Sequence, residues 1–85
     1  MAFQCVVVTP EQQALDVSAR QAIVPAHDGL LGVLSGRAPL VVKLGAGPLR
    51  IDKTDGTSVT VLIKGGVAQM RDNRLTVLAN EARVQ

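Results

Sequence analysis

Few side chains in this sequence can act as catalysts or metal ligands. His27 is the only histidine and Cys5 is the only cysteine among 85 residues. A nucleophilic triad needs a histidine base, and Ser35, eight residues beyond His27, lacks the surroundings of a strained nucleophile elbow. A zinc site needs three or four cysteine, histidine or carboxylate ligands. The residue types therefore argue against a nucleophilic enzyme and against a bound metal.

The remaining chemical candidates are carboxylates and glycine-rich segments. The sequence leaves open whether two carboxylates approach closely enough for acid–base catalysis. The aspartates fall at predicted turns or strand ends and are interpreted as turn formers: Asp16, Asp28, Asp52, Asp55 and Asp72. The glycine clusters at 45–47 and 64–66 are not followed by the lysine and hydroxyl residue that a phosphate-binding loop requires after its last glycine. His27 is interpreted as a turn residue, with a pH-sensitive site as the alternative.

The composition excludes further classes of function. The net charge of +2 is scattered along the chain, and Phe3 is the only aromatic residue. Proteins that bind single-stranded nucleic acids stack bases on aromatic rings, so nucleic-acid binding is not predicted. No apolar run reaches the roughly 20 residues that span a bilayer, and the first residues lack the pattern of a signal peptide. Cys5 is predicted to be a buried strand residue, and a lone cysteine fits a reducing compartment.

The candidate residues named above lie in or between short apolar runs that are separated by turn signals. The length and this pattern predict one domain, 1–85, of the all-β class, with short antiparallel strands arranged as a small sandwich or barrel. The predicted strands are 3–8, 14–19, 20–24, 30–34, 40–44, 47–52, 58–64, 67–71 and 74–79. Asp55-Gly56 and Asp72-Asn73 predict hairpin turns. Asn80 is a possible cap of a short helix.

The outer faces of several predicted strands are unusually apolar. Val61 and Ile63 share one face of their strand, which leaves Leu62 on the other face. Leu78 is placed outward in the same way, opposite the face of Val77. A solvated sheet face normally carries polar residues. The pattern therefore predicts either a closed, barrel-like sandwich or a surface that a partner covers.

Residues 28–40, DGLLGVLSGRAPL, resemble the signature of the epsilon subunit of the F-type ATP synthase, a run of the type DGE-x-G-V-L-P-G-H-A-P-L. Further resemblance to that family occurs in the expected order at 7–11, 47–51, 65–68 and 75–82. The resemblance implies a ten-stranded β-sandwich. It also implies a rotor subunit of the central stalk that couples ion translocation to ATP synthesis or hydrolysis, without a catalytic site or cofactor of its own.

The resemblance also implies the partners and their contact residues. The partners are the gamma subunit and the c ring, which hold the domain at the periphery of the membrane, on the cytoplasmic face of a bacterial inner membrane or its organelle equivalent. The positions that match the family's c-ring contact are His27, Asp28, Gly29, Leu30 and Leu31. The positions that match its gamma contact are Thr9, Gly36, Arg37, Ala38, Pro39 and Leu40. The sequence departs from the family pattern at Leu30, Ser35 and Arg37.

The family usually continues into a C-terminal helical hairpin, whereas this sequence stops at Gln85. The expectation is a short epsilon subunit that couples but does not inhibit itself. The alternative is a stand-alone protein-binding module of the same fold with a regulatory role, and a small enzyme is a third hypothesis.

Overall fold

The structure, a computed structural model, describes residues 2–85. Six β-strands account for most of these residues, and the connections between them are short. The strands are β1 (Phe3–Val8), β2 (Gln13–Ala26), β3 (Gly29–Leu34), β4 (Leu40–Lys53), β5 (Ser58–Arg71) and β6 (Arg74–Val84). The prediction of an all-β domain is confirmed.

The strands form a single sheet that closes on itself. The strand order is β1-β6-β5-β4-β2-β3, and β1 also pairs with β2, which joins the two sides of the sheet into a flattened barrel. All neighbours are antiparallel except β1 and β6, which are parallel. Closure removes most of the free strand edges and encloses one core of aliphatic side chains.

The four long strands bend at their midpoints, so the prediction of about ten separate strands is wrong: there are six. In β5, Val61 and Ile63 are buried before the bend, and Ala68 and Met70 are buried after it. The five-residue interval between Ile63 and Ala68 reverses the inside–outside alternation, because side chains on one face of a strand recur every second residue. The strands continue through these bends instead of ending there.

Each bent strand therefore contributes to two layers that enclose the core. We call them the front layer and the back layer. The front layer consists of residues 3–8, 13–19, 40–44, 66–71 and 74–79. The back layer consists of residues 21–26, 29–34, 46–53, 58–64 and 81–84. Ten segments thus arise from six continuous strands.

The bend of β5 explains the consecutive glycines. Gly66 has a φ of +121°, and a Cβ atom there would lie 2.0 Å from the carbonyl oxygen of Leu78. Gly65, with a φ of +67°, lies under the side-chain amide of Asn80. Backbone approach this close is possible only for glycine. Asn80 does not cap a helix, because β6 continues beyond it and pairs Glu81 with Lys64 of β5.

Candidate interaction surfaces

His27 and Asp28 form the tight turn between β2 and β3, next to the paired residues Ala26 and Gly29. Gly29 has a φ of +137°, a conformation that favours glycine. The first four residues of the expected c-ring contact, 27–30, are exposed. Leu30 is the most exposed large apolar side chain among the described residues, at 73%. Leu31 instead is partly buried and packs against the core.

The expected gamma contact includes the connection between β3 and β4. Gly36 to Pro39 are exposed, whereas Leu40 begins β4 and packs partly against the core. This connection is attached to the β5–β6 turn by Asn73, whose side-chain oxygen accepts a hydrogen bond of 2.8 Å from the amide of Gly36. Asn73 also donates to the Ser35 hydroxyl at 3.2 Å. The sequence indicated Asn73 only as a turn residue.

Thr9 is distant from the rest of the expected gamma contact. Its amide donates to the carbonyl of Gln12 in the turn after β1. At the other end of β1, the Gln4 amide donates to the Asn73 carbonyl, so about five residues of extended strand, roughly 16 Å, separate Thr9 from the Asn73 end. The 27–28 turn and Gly36 likewise lie at opposite ends of β3. The structure therefore distributes the predicted contact residues over three places.

The outward placement of Leu62 and Leu78 is confirmed. Leu78 is 50% exposed on the front layer, directly opposite Val67 of β5, which is 40% exposed. Val41 lies on the same outer face and is 66% exposed. On the back layer, Leu62 is paired with exposed Pro48. We call Val41, Val67 and Leu78 the apolar strip of the front layer. Val67 and Leu78 are direct partners, and Val41 lies diagonally from Val67, whose partner on β4 is Lys43.

The titratable groups show no arrangement for acid–base chemistry. Burial raises the pKa of the Cys5 thiol to about 12, which makes it an inert side chain and confirms its prediction as a buried strand residue. Hydrogen bonds from Arg50 and Ser58 lower the pKa of Asp52, and bonds from Thr57 lower the pKa of Asp55. Both effects are local to turns. Residues 2–85 contain neither a buried charged side chain nor a cluster of three potential metal ligands.

No helix in the described part of the chain is long and apolar enough to cross a membrane.

Comparison with known proteins identifies relatives over almost the full chain. Residues 2–85 match the family described as "ATP synthase, Delta/Epsilon chain, beta-sandwich domain". The chain is 43% identical over 82 residues to the ATP synthase epsilon chain of Rhodopirellula baltica, covering 96% of this chain and 63% of that protein. It is 40% identical over 76 residues to the epsilon chain of a Synechococcus species, covering 89% and 55%, respectively.

Two solved structures have the same fold. One chain of the Euglena gracilis mitochondrial ATP synthase superposes with a TM-score of 0.87 at 22% identity, covering 94% of this chain and 51% of that one. A chain of the central stalk and c-ring assembly of the Tetrahymena thermophila enzyme gives a TM-score of 0.78 at 19% identity, covering 94% and 64%. The chain spans little more than half of the length of several relatives that it matches.

Proposed function

This chain belongs to the delta/epsilon-chain β-sandwich family of ATP synthases, and we propose that it is a rotor subunit of the central stalk. In this role it links the gamma subunit to the c ring and couples ion translocation to ATP synthesis or hydrolysis. The match of residues 2–85 to the family carries the proposal. The two similar structures support it, because both come from ATP synthase assemblies that contain a c ring and one of them is a central stalk assembly.

The c-ring contact is proposed at the 27–30 end of the barrel. The turn is exposed and tight, and Leu30 presents a largely exposed apolar side chain beside it. Docking of such a side chain against a partner contributes about 1.5–3 kcal/mol when its burial is complete. Leu31, the last residue of the proposed contact, is partly buried and supports the turn from the core side.

The gamma contact is proposed at residues 36–40, with Thr9 as a separate point. The bond from the Gly36 amide to Asn73 holds the first of these regions against the β5–β6 turn. A contact surface fixed in this way loses little conformational entropy on binding. Because Thr9 lies at the far end of β1, both regions can contact gamma only if the subunit extends along the front layer.

We assign the chain no catalytic group and no cofactor. The proposed location is the periphery of the membrane, through the complex, on the cytoplasmic face of a bacterial inner membrane or the equivalent organelle side.

Affinity purification under mild detergent extraction tests the proposal. The tagged chain is expected to recover gamma and the c ring together, and Leu30→Asp is expected to reduce recovery of the ring more than recovery of gamma. Val84→Asp, near the end of β6, is the matched control because it also replaces an exposed apolar side chain with a carboxylate, away from the proposed contacts. Recovery of the chain free of both subunits would contradict the rotor function and favour a stand-alone binding module.

A further inference from the structure

Two arginines face each other across the β5–β6 hairpin. Arg71 and Arg74 are direct cross-strand partners on either side of the turn at Asp72 and Asn73, and both are exposed. Side chains in this relation lie about 5 Å apart at their Cβ atoms, and like charges placed this way destabilise a hairpin. The fold therefore keeps an electrostatically unfavourable pair at one end of the front layer.

The anionic groups nearby do not neutralise this pair. Asp72 lies 3.7 Å from the Arg71 guanidinium, but both side chains are largely exposed, at 90% and 70%, so the ion pair is weak. Arg74 has no ion pair among residues 2–85. Asp16, two strands away, accepts a hydrogen bond from Gln4. The pair thus retains guanidinium groups that are exposed to solvent and accessible to a partner.

We propose that Arg71 and Arg74 recognise carboxylates on an acidic segment of a protein partner. The pair lines a shallow recess of about 240 Å³ together with Asp72 and with the next cross-strand pair, Gln69 and Thr76. Guanidinium groups bind carboxylates through two parallel hydrogen bonds, and the neighbouring amide and hydroxyl groups supply further donors.

The surroundings favour a protein partner over a phosphate-rich one. The same outer face continues from the arginine pair to the apolar strip of Val41, Val67 and Leu78. A charged end beside an apolar centre is typical of protein interfaces, where arginine is enriched. Anionic membranes recruit clusters of four to eight basic residues, and stacking of nucleic-acid bases needs exposed aromatic rings, whereas Phe3 is buried.

The inference rests on the proposed function, because the partner is the rotor subunit that contacts residues 36–40. Asn73 joins the hairpin to that segment through its bond with the Gly36 amide. The acidic segment is therefore expected on the part of gamma that lies next to this connection.

Binding to the cognate ATP synthase depleted of this subunit provides the first test. The double variant Arg71→Gln/Arg74→Gln is expected to bind about tenfold more weakly at 50 mM salt and to approach the unmodified chain at 300 mM salt. The control, Arg50→Gln/Arg83→Gln, removes two charges from the back layer. Equal binding by both double variants and the unmodified chain would overturn the inference and leave the proposed function intact.

Two further measurements separate recognition from a structural role and from failure of the proposed function. The melting temperature of Arg71→Gln/Arg74→Gln should stay equal or rise, since repulsion is removed; a fall of several degrees would indicate a structural pair. In a chemical-shift titration with a leucine-flanked hexaglutamate peptide, shifts are expected at residues 69–76 of the unmodified chain only. Binding to phosphatidylglycerol vesicles without binding to the peptide would overturn the inference. This outcome does not depend on whether the chain binds the complex, which tests the proposed function separately.

Discussion

Replacement of Leu78 by glutamate tests whether the front layer is an interface. Leu78 lies outside the core, opposite Val67, with half of its surface exposed. The variant should therefore fold, with a change in the free energy of unfolding within about 1 kcal/mol, as is usual for surface positions on a strand. Its binding to the rotor should decrease much more.

The expected loss of affinity follows from the exposed half of the side chain. Complete burial of a leucine contributes about 1.5–3 kcal/mol, so docking of the exposed half contributes roughly 0.8–1.5 kcal/mol. Burial of an unpaired carboxylate in the same contact adds a desolvation cost of several kcal/mol, reduced where water still reaches it. A total of about 2–4 kcal/mol corresponds to a loss of affinity of roughly 30- to 700-fold.

Titration calorimetry against the depleted complex measures this loss, and urea unfolding measures stability. Leu62→Glu, on the back layer at 39% exposure, is the matched comparison and should weaken binding less, because its apolar surroundings are limited to Pro48. Val77→Glu, at a fully buried position, should abolish folding. Unchanged affinity of the folded Leu78→Glu chain would refute the assignment of the front layer as an interface.

Three further predictions concern the features that hold the surfaces in place. Gly66→Ala should destabilise the domain by about 3 kcal/mol or more, because the added Cβ would overlap the Leu78 carbonyl. Urea unfolding measures this loss. Asn73→Gly keeps the positive φ of 58° but removes the bond to Gly36, so stability should fall by about 1 kcal/mol and amide exchange should rise in 36–39. Cys5 should resist thiol reagents in the folded state. Between pH 9 and about 12 its thiol ionises only in the unfolded state, because burial raises the pKa of Cys5 in the folded state to about 12, so the free energy of unfolding should fall as the pH rises through this range.

Each of these predictions has a control. Gly32→Ala should be nearly neutral, because no atom lies within 4 Å of the added Cβ; an equal effect at Gly32 and Gly66 would contradict the close-approach explanation. Uniformly raised exchange over the whole barrel in Asn73→Gly would mean that the residue supports the fold rather than the 36–40 segment. Rapid reaction of Cys5 with a thiol reagent in the folded chain at pH 8 would contradict its burial. In Cys5→Ala, the free energy of unfolding should decrease less between pH 9 and 12 than in the unmodified chain.

The sequence by itself determined the features that depend on neighbouring residues. The alternation of apolar residues indicated the all-β class and placed Val61 and Ile63 inward and Leu62 outward, as the structure confirms. The turn at Asp72-Asn73 was predictable because both residues tolerate positive φ, and they adopt 51° and 58°. The resemblance in residues 28–40 identified the family, which the comparisons confirm.

Only the tertiary structure decided the features that depend on long-range pairing. Residues 58–64 and 67–71 were predicted as separate strands, but β5 continues through the two glycines between them, with the backbone of Gly66 against the carbonyl of Leu78 in the neighbouring strand. The bond from Gly36 to Asn73 joins residues 37 positions apart. The separation of Thr9 from residues 36–40 follows from the parallel pairing of β1 with β6. Local alternation and turn chemistry carry no information about such partners, because closure of the barrel selects them.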